Sequence, residues 1–383
     1  MENLDNSRKV FFELLKAGLF PVHGEGGLVY DSLFKDVDWG KVYQLAQEQS
    51  VQGIALSGLE ELRAKGIELS VPKVLLLQWI GEVQMIEQRN KEMNAYIAEL
   101  IAKLRKNDVY AILVKGQGIA QCYEKPLWRS SGDIDLLLSD FNYEKAKEVM
   151  LPFAVNLEGE YKDYKHFGLT MSSGFLVELH GTLHSHMSRR VDSVVDEVQE
   201  DVFCGGNVRS WDNRGTQVFL PSANNDTIFI FTHILQHFFS EGIGLRQICD
   251  WCRLLYTYRD SLNHKLLESR LRKMGLHPHW KAFAALAVDT LGMPVEAIPL
   301  YNDGQKWHKK GKRILSLIFE AGNFGHGRDQ SYKKKYPKFI EYAISFWVFT
   351  RYGFKQFMIF PSDAVRGWVR TIYLGVRAKI IKK

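Results

Sequence analysis

The strongest constraint on the fold is a change of hydrophobic period at Val109. Before it, apolar residues recur at three- and four-residue spacing, most clearly in the long run from Lys73 to Asn107. There Leu76, Ile80, Val83, Ile86, Met93, Ile97, Leu100, Ile101 and Leu104 make one stripe. That spacing predicts amphipathic helix, and residues 1–108 are read as a helical region. After Val109 the runs are short and stopped by turn residues: YAILVKG, DIDLLLSD, KHFGLTMS, FLVELHGTL and QVFLP. These read as strands with helices between them, and they predict an α+β mixed sheet domain over 109–222. From Pro221 the helical period returns, with Ser222 placed to cap the first helix and Gly275 to end a later one. This gives a helical domain over 223–330 and a C-terminal region over 331–383. The stretches Leu300–Gly304 and Phe324–Pro337 read as linkers.

Charge is unevenly placed. Residues 331–383 hold twelve Lys/Arg against Glu341 and Asp363, a charge of +10. The chain as a whole is only +6, so the remainder carries −4. Aromatics are interleaved with this basic end: Tyr332, Tyr336, Phe346, Trp347, Tyr352, Trp368 and Tyr373. Such a segment suits a polyanionic acceptor or an anionic lipid surface, and equally suits helices with solvated basic faces. No stretch reaches 18 uncharged apolar residues, and the N-terminus has no signal-peptide pattern, so no transmembrane segment is expected. The four cysteines form no disulfide framework, which points to a reducing, cytoplasmic setting. Cys249 and Cys252 form a single C-x-x-C within a helical pattern, and read as buried side chains rather than metal ligands.

The residues that carry chemistry begin at Gly132-Asp133-Ile134-Asp135-Leu136. On a strand, alternate side chains share a face, so Asp133 and Asp135 project together while Ile134 and Leu136 enter the core. Two carboxylates so placed repel unless a cation lies between them. Mg²⁺ or Mn²⁺ favours such oxygen ligands together with substrate phosphates. Glu178, between Val177 and Leu179 on a second strand, can supply a third carboxylate if the two strands are neighbours, and His180 shares its face. Lys115-Gly116-Gln117-Gly118 is a strand-to-helix turn where glycines can let backbone approach phosphates, with the Lys115 charge beside them. Arg129, in the loop before Asp133, can act as a phosphate clamp. His233 and His237 stand one helical turn apart, without the Glu of a metalloprotease motif.

The order Lys115-Gly116, Tyr123, Pro126, Arg129 and Asp133-Ile134-Asp135-Leu136 resembles the uncharacterised bacterial nucleotidyltransferase family of the polymerase-β-like nucleotidyltransferase superfamily. Val177-Glu178-Leu179-His180 resembles that family's later Glu-Leu-His strand, and His233, Arg246 and Asp250 fall where its helical region has them. The likeness spans about Trp39 to Leu255. It departs from the wider superfamily in having Lys115-Gly116-Gln117 where a Gly-Ser turn is usual.

The resemblance implies a polymerase-β-like mixed sheet flanked by N-terminal and C-terminal helical regions. It implies a Mg²⁺- or Mn²⁺-dependent transfer of a nucleoside monophosphate from ATP or another NTP, with release of pyrophosphate. In that reading Asp133, Asp135 and Glu178 hold metal and carry catalysis, while Lys115, Gly116, Gln117, Gly118 and Arg129 bind the nucleotide. His180, His233, Arg246 and Asp250 stand behind them at the cleft. The acceptor stays open among RNA, protein and a small molecule or saccharide. The alternative is a non-catalytic nucleotide- or partner-binding module on the same fold. A third reading is a nucleic-acid or membrane-surface protein working through 331–383.

Overall fold

Ile134, Leu136 and Leu138 leave one face of a strand, and Asp133, Asp135 and Leu137 leave the other, so this strand must be covered on both sides. The computed structural model, which describes residues 5–20, 33–161, 165–322 and 335–381, shows what covers it. Seven strands form one mixed sheet: β1 (Ala111–Val114), β2 (Asp133–Leu138), β3 (Ala154–Tyr161), β4 (His166–Met171), β5 (Leu176–His180), β6 (Val208–Asn213) and β7 (Thr216–Pro221), in the order β3-β4-β5-β2-β1-β7-β6. Most neighbours are antiparallel, but β2 runs parallel to β5 and β1 parallel to β7. The expected α+β architecture is therefore what the chain adopts, with helices before and after the sheet.

The helices are α1 (Asn6–Leu19), α2 (Trp39–Glu48), α3 (Gln52–Ala64), α4 (Lys73–Lys106), α5 (Gly116–Ala120), α6 (Asp140–Met150), α7 (Arg189–Phe203), α8 (Ala223–Phe239), α9 (Leu245–Tyr258), α10 (His264–Met274), α11 (His277–Leu291), α12 (Gln305–Ala321), α13 (Lys338–Phe357) and α14 (Pro361–Ile381). The second half of α4, through Met93, Ile97, Ile101 and Leu104, packs with Tyr143, Ala146 and Met150 of α6 against Ile134, Leu136 and Leu138. On the opposite face, Leu137 and Val114 join a larger core that unites α1–α3 with α8, α9, α11 and α12. Trp79, Trp251, Trp280, Phe231 and Phe283 are among its fully buried members, each such side chain contributing about 1.5–3 kcal/mol through burial. One core thus spans the helices before and after the sheet.

Several local expectations meet their structural counterparts. Ser222 accepts a hydrogen bond from the Asn225 amide at the start of α8, and Gly275 ends α10 in the left-handed conformation. Cys249 and Cys252 are buried on α9 as free thiols. Residues 300–304 form a non-helical connection into α12, whereas the expected linker at 324–337 lies outside the described residues as far as position 334. Two strands escaped the sequence reading, β3 and β6. Both sit at sheet edges and are mostly half-buried or exposed, so neither carries a full apolar pattern. No described helix is long and apolar enough to cross a membrane.

Candidate active site

β1 ends in a turn that no ordinary residue adopts cheaply. Lys115 has φ 57° and ψ −145°, and Gly116 follows at φ +35°. Such a conformation costs a non-glycine residue about 1–3 kcal/mol and persists only where surroundings hold it. Here the Lys115 ammonium donates to Asp135 Oδ1 at 2.9 Å. The antiparallel ladder pairs Val114 with Asp135, which brings the turn beside that carboxylate.

The third carboxylate arrives through the parallel ladder. Asp135 and Glu178 are register partners on β2 and β5. Oxygens of Asp133, Asp135 and Glu178 can lie within 4.8 Å of one another. His180 Nε2 is 2.8 Å from Asp135 Oδ1 and 3.5 Å from Glu178 Oε2. His166, opposite His180 on β4, stacks on it at 4.8 Å and places its Nε2 3.1 Å from Glu178 Oε2. Glu178 is thus shared by two possible ligand groups, three carboxylates or His166-Glu178-His180. The all-oxygen group suits Mg²⁺ or Mn²⁺, and the His-rich group suits zinc-like ions.

Charge is not balanced evenly. Asp135 is almost wholly buried, which raises its carboxyl, but Lys115 and His180 outweigh this and hold it below the ordinary value. Burial likewise raises Glu178, and His166 with His180 pulls it strongly down. His180 is raised: burial opposes its charge, and hydrogen bonds to Asp135 and Glu178 prevail. Lys115 is raised, its burial offset by Asp135 and then Glu178. Asp133 is the exception. The neighbouring Asp135 charge, then burial and Glu178, push it up to about 6. An acid held that high marks an excess of negative charge that a cation would relieve.

The loop 121–132 leading to Asp133 is held by a buried strut. Arg129 makes a bidentate pair with Asp250 of α9, Nε to Oδ1 at 2.8 Å and Nη2 to Oδ2 at 2.7 Å. The Tyr123 hydroxyl donates to Asp250 Oδ1 at 2.8 Å. Asn90 of α4 donates to the Leu127 and Arg129 carbonyls at 2.7 and 2.8 Å. Gln117 in turn donates to Asn90 Oδ1 at 2.7 Å and Ser131 Oγ at 3.1 Å. Arg246 donates to the Ser130 carbonyl at 2.8 Å, and its Nε is buried without a hydrogen-bond acceptor among the described residues.

These elements border a cavity of about 570 Å³ between the sheet and α8. Lys115, Gly116, Asp133, Asp135, Glu178, His180, His233, Arg246 and Asp250 all line it, as expected site residues. Arg129 borders it too, but its guanidinium is committed to Asp250 rather than presented to the cavity. The side chain of Gln117 and the whole of Gly118 stand apart from it. Gln117 is turned into the Asn90–Ser131 network, and a Cβ on Gly118 would meet Leu220 of β7 at 2.9 Å. Gly118 therefore serves the close packing of α5 on the sheet, where a larger residue would have to displace the Leu220 side chain. His233 is held neutral by burial and by Lys115, and stacks edge-on with His237 at 4.4 Å.

Further residues line it as well. His166, Thr182, His184 and His186 enter from β4 and the segment after β5, and Arg370 enters from α14 and donates to the Ser185 carbonyl at 3.1 Å. Asn90 carried a legible signal: it is a polar residue set between Ile86 and Met93 in the apolar stripe of α4, and such a position demands partners. Arg370 carried none, since it is one cation among twelve.

The chain has counterparts among known proteins. The profile of a family described as uncharacterised nucleotidyltransferase matches residues 35–292. Among curated proteins none matches. Among solved structures, an antigenic nucleotidyltransferase-like protein from Paracoccidioides brasiliensis is similar over 53% of this chain and 94% of its own, at 14% identity and a TM-score of 0.32. The chain belongs to the uncharacterised nucleotidyltransferase family, whose match takes in the site carboxylates, Lys115, Arg246 and the strut residues but not Arg370.

Proposed function

We propose, with membership of that family as the premise, that this chain transfers a nucleoside monophosphate from an NTP to a hydroxyl or phosphate acceptor and releases pyrophosphate. The observation that carries the reading is the pairing of Asp135 with Glu178, which gathers Asp133, Asp135 and Glu178 around one point of the cavity. The donor set fits Mg²⁺ or Mn²⁺, being all oxygen, with uncompensated negative charge at Asp133. When bound, such an ion would neutralise phosphate charge and polarise the reacting oxygens.

The chain's own groups do the rest. Lys115, fixed by its turn and by Asp135, presents an ammonium to the phosphates. Arg246 offers a second cation with an unused buried N–H, and replaces Arg129 as the phosphate clamp in this reading. Arg129, Asp250, Tyr123 and Asn90 keep Asp133 in place. The acceptor oxygen bonds to the α-phosphorus, the bond to the β-phosphate oxygen breaks, and pyrophosphate leaves with that electron pair. The acceptor hydroxyl's proton departs on the side of the ionised Glu178 carboxylate, which takes it and passes it to solvent.

A second reading has one observation in its favour. Lys115 and His180 already satisfy Asp135, so the fold can hold a nucleotide without turning it over, as a binding module would. Incubation with each labelled NTP and Mg²⁺, with and without a cell lysate, distinguishes the two. Pyrophosphate release with label entering RNA, protein or a small molecule supports transfer. Thermal stabilisation by Mg·NTP with no pyrophosphate from any mixture sinks it.

A further inference from the structure

The last two helices form a hairpin seated beside the cavity. Gln356 donates to the Phe238 carbonyl of α8, Gly367 lies against Phe239, and Arg370 lines the cavity itself. Among the described residues, its outer side holds just over half of the exposed large apolar side chains. Of the 21 large apolar side chains exposed among the described residues, 11 lie between Tyr336 and Tyr373. Soluble monomers rarely expose a contiguous apolar patch of more than a few hundred Å² without a function for it.

The arrangement along α13 identifies the partner. At 100° per residue, Phe339, Phe346, Thr350 and Phe357 fall on one line of about 27 Å, whose middle is flanked by Trp368 of α14, against Phe346 and donating to the Thr350 hydroxyl, and whose phenylalanines stay exposed. Phe339 is 73% exposed and Phe354 64%. Tyr342 borders the stripe on one side, and Phe354 and Trp347 on the other. Beyond these borders stand Lys338 and Arg351, both exposed. The opposite face is turned to the protein, where Lys355 pairs with Glu320 of α12. Phenylalanine at the centre, Tyr and Trp at the margins and cations outside them is the order of polarity met on moving from acyl chains to headgroups. Val365, Val369 and Tyr373 extend the exposed apolar surface onto α14.

We propose that α13 and α14 dock this protein on an anionic bilayer surface, with the phenylalanine stripe in the headgroup–acyl boundary and Lys338 and Arg351 on lipid phosphates. The hairpin lies in the plane of the surface and does not span it. A nucleic-acid strand fits less well: bases would stack on the stripe, but the exposed cations on this helix stand thirteen residues apart and trace no phosphate path. A second copy would bring like charges together, since Glu341 and Asp363 are the hairpin's sole acids. Docking brings the hairpin that carries Arg370, a residue lining the cavity, onto the bilayer.

The test uses the full chain and sedimentation with vesicles of phosphatidylcholine alone or with added phosphatidylserine. Binding is expected to the anionic vesicles and to weaken as salt rises. Phe339→Glu with Phe354→Glu should reduce that binding by about a hundredfold. The same variant should keep the parent's melting temperature and its thermal response to Mg·NTP. Lys338→Glu with Arg351→Glu, which leaves the stripe intact, should remove the preference for phosphatidylserine. Equal binding of parent and Phe variant to vesicles overturns the proposal. So does absence of vesicle binding at low salt, whether the chain instead binds a single-stranded RNA oligonucleotide or self-associates in sedimentation velocity.

Discussion

Two charged clusters lie side by side in this molecule and are built on opposite principles. In the strut, one arginine meets one carboxylate through two parallel hydrogen bonds, and Tyr123 fills a remaining lone pair. Burial disfavours the Arg129 cation, but Asp250 overrides it and keeps Arg129 firmly charged. In the cavity, three carboxylates face Lys115 and His180, and one acid, Asp133, is left with a displaced proton affinity. A balanced buried pair is structural, and its loss is felt as instability. An unbalanced one keeps its energy in reserve for a ligand.

The sharpest way to break this contrast is substitution in the unbalanced cluster. Asp133→Asn and Glu178→Gln should each lower nucleotidyl transfer by ~10³-fold or more, measured as pyrophosphate release. Asp133→Asn should leave the melting temperature of the ligand-free protein unchanged or raised, because it removes repulsion from Asp135. Asp135→Asn should lower it, because buried Lys115 and His180 lose the negative charge that balances them. If Asp133→Asn destabilises as Asp135→Asn does, Asp133 is a structural acid and the contrast fails.

Substitution in the balanced cluster should do the reverse. Arg129→Met or Asp250→Asn should cost about 3–5 kcal/mol in denaturant unfolding, since each strands a buried charge. Added Mg·NTP should not restore the loss. Near-parental stability with weakened NTP binding would return Arg129 to the role of phosphate clamp.

Lys115 sits between the two cases. Lys115→Ala should weaken NTP binding by ten- to a hundredfold, the equivalent of about 1.5–3 kcal/mol for one charge-assisted contact. Isothermal titration at constant Mg²⁺ measures it, and unchanged affinity in a folded variant removes Lys115 from the phosphates.

The smallest effect is in pH. Asp133 holds its proton more tightly when folded, at about 6 against an ordinary 3.8. Its contribution therefore favours folding below about pH 4 and is lost as pH rises through about 6. Relative to Asp133→Asn, the ligand-free parent should lose about 2 kcal/mol across that window, after allowance for solvent screening. A difference between the two proteins that is flat from pH 4 to 7 would show that Asp133 is not the uncompensated charge.

The clusters also differ in how far sequence foretold them. Asp133 and Asp135 were legible because one strand's alternation sets both, and local spacing suffices. Glu178 needed one more fact, that β5 neighbours β2, which spacing alone does not supply. Arg129 was read as facing phosphate because its partner Asp250 lies 121 residues away on another helix. His166 reaches Glu178 through a ladder register that is set by β4 pairing with β5. The same holds for the fold. The long stripe of α4 announces itself, whereas Gly53 and Gly58 break the period of α3, and the edge strands β3 and β6 lack a full apolar pattern.

The sheet order β3-β4-β5-β2-β1-β7-β6 makes β5 and β2 the seam at which three strands hang from the other four. Asp133 and Asp135 lie on one side of that seam and Glu178 on the other. A ligand gripped by all three would act as a rivet across it. Parting the two leaves of the sheet would then mean surrendering the ligand as well as the ladder. Amide hydrogens of β3, β4 and β5 should accordingly exchange more slowly on loading, while those of β6 and β7, which join the sheet through β1 on the far side of the seam, keep their own pace.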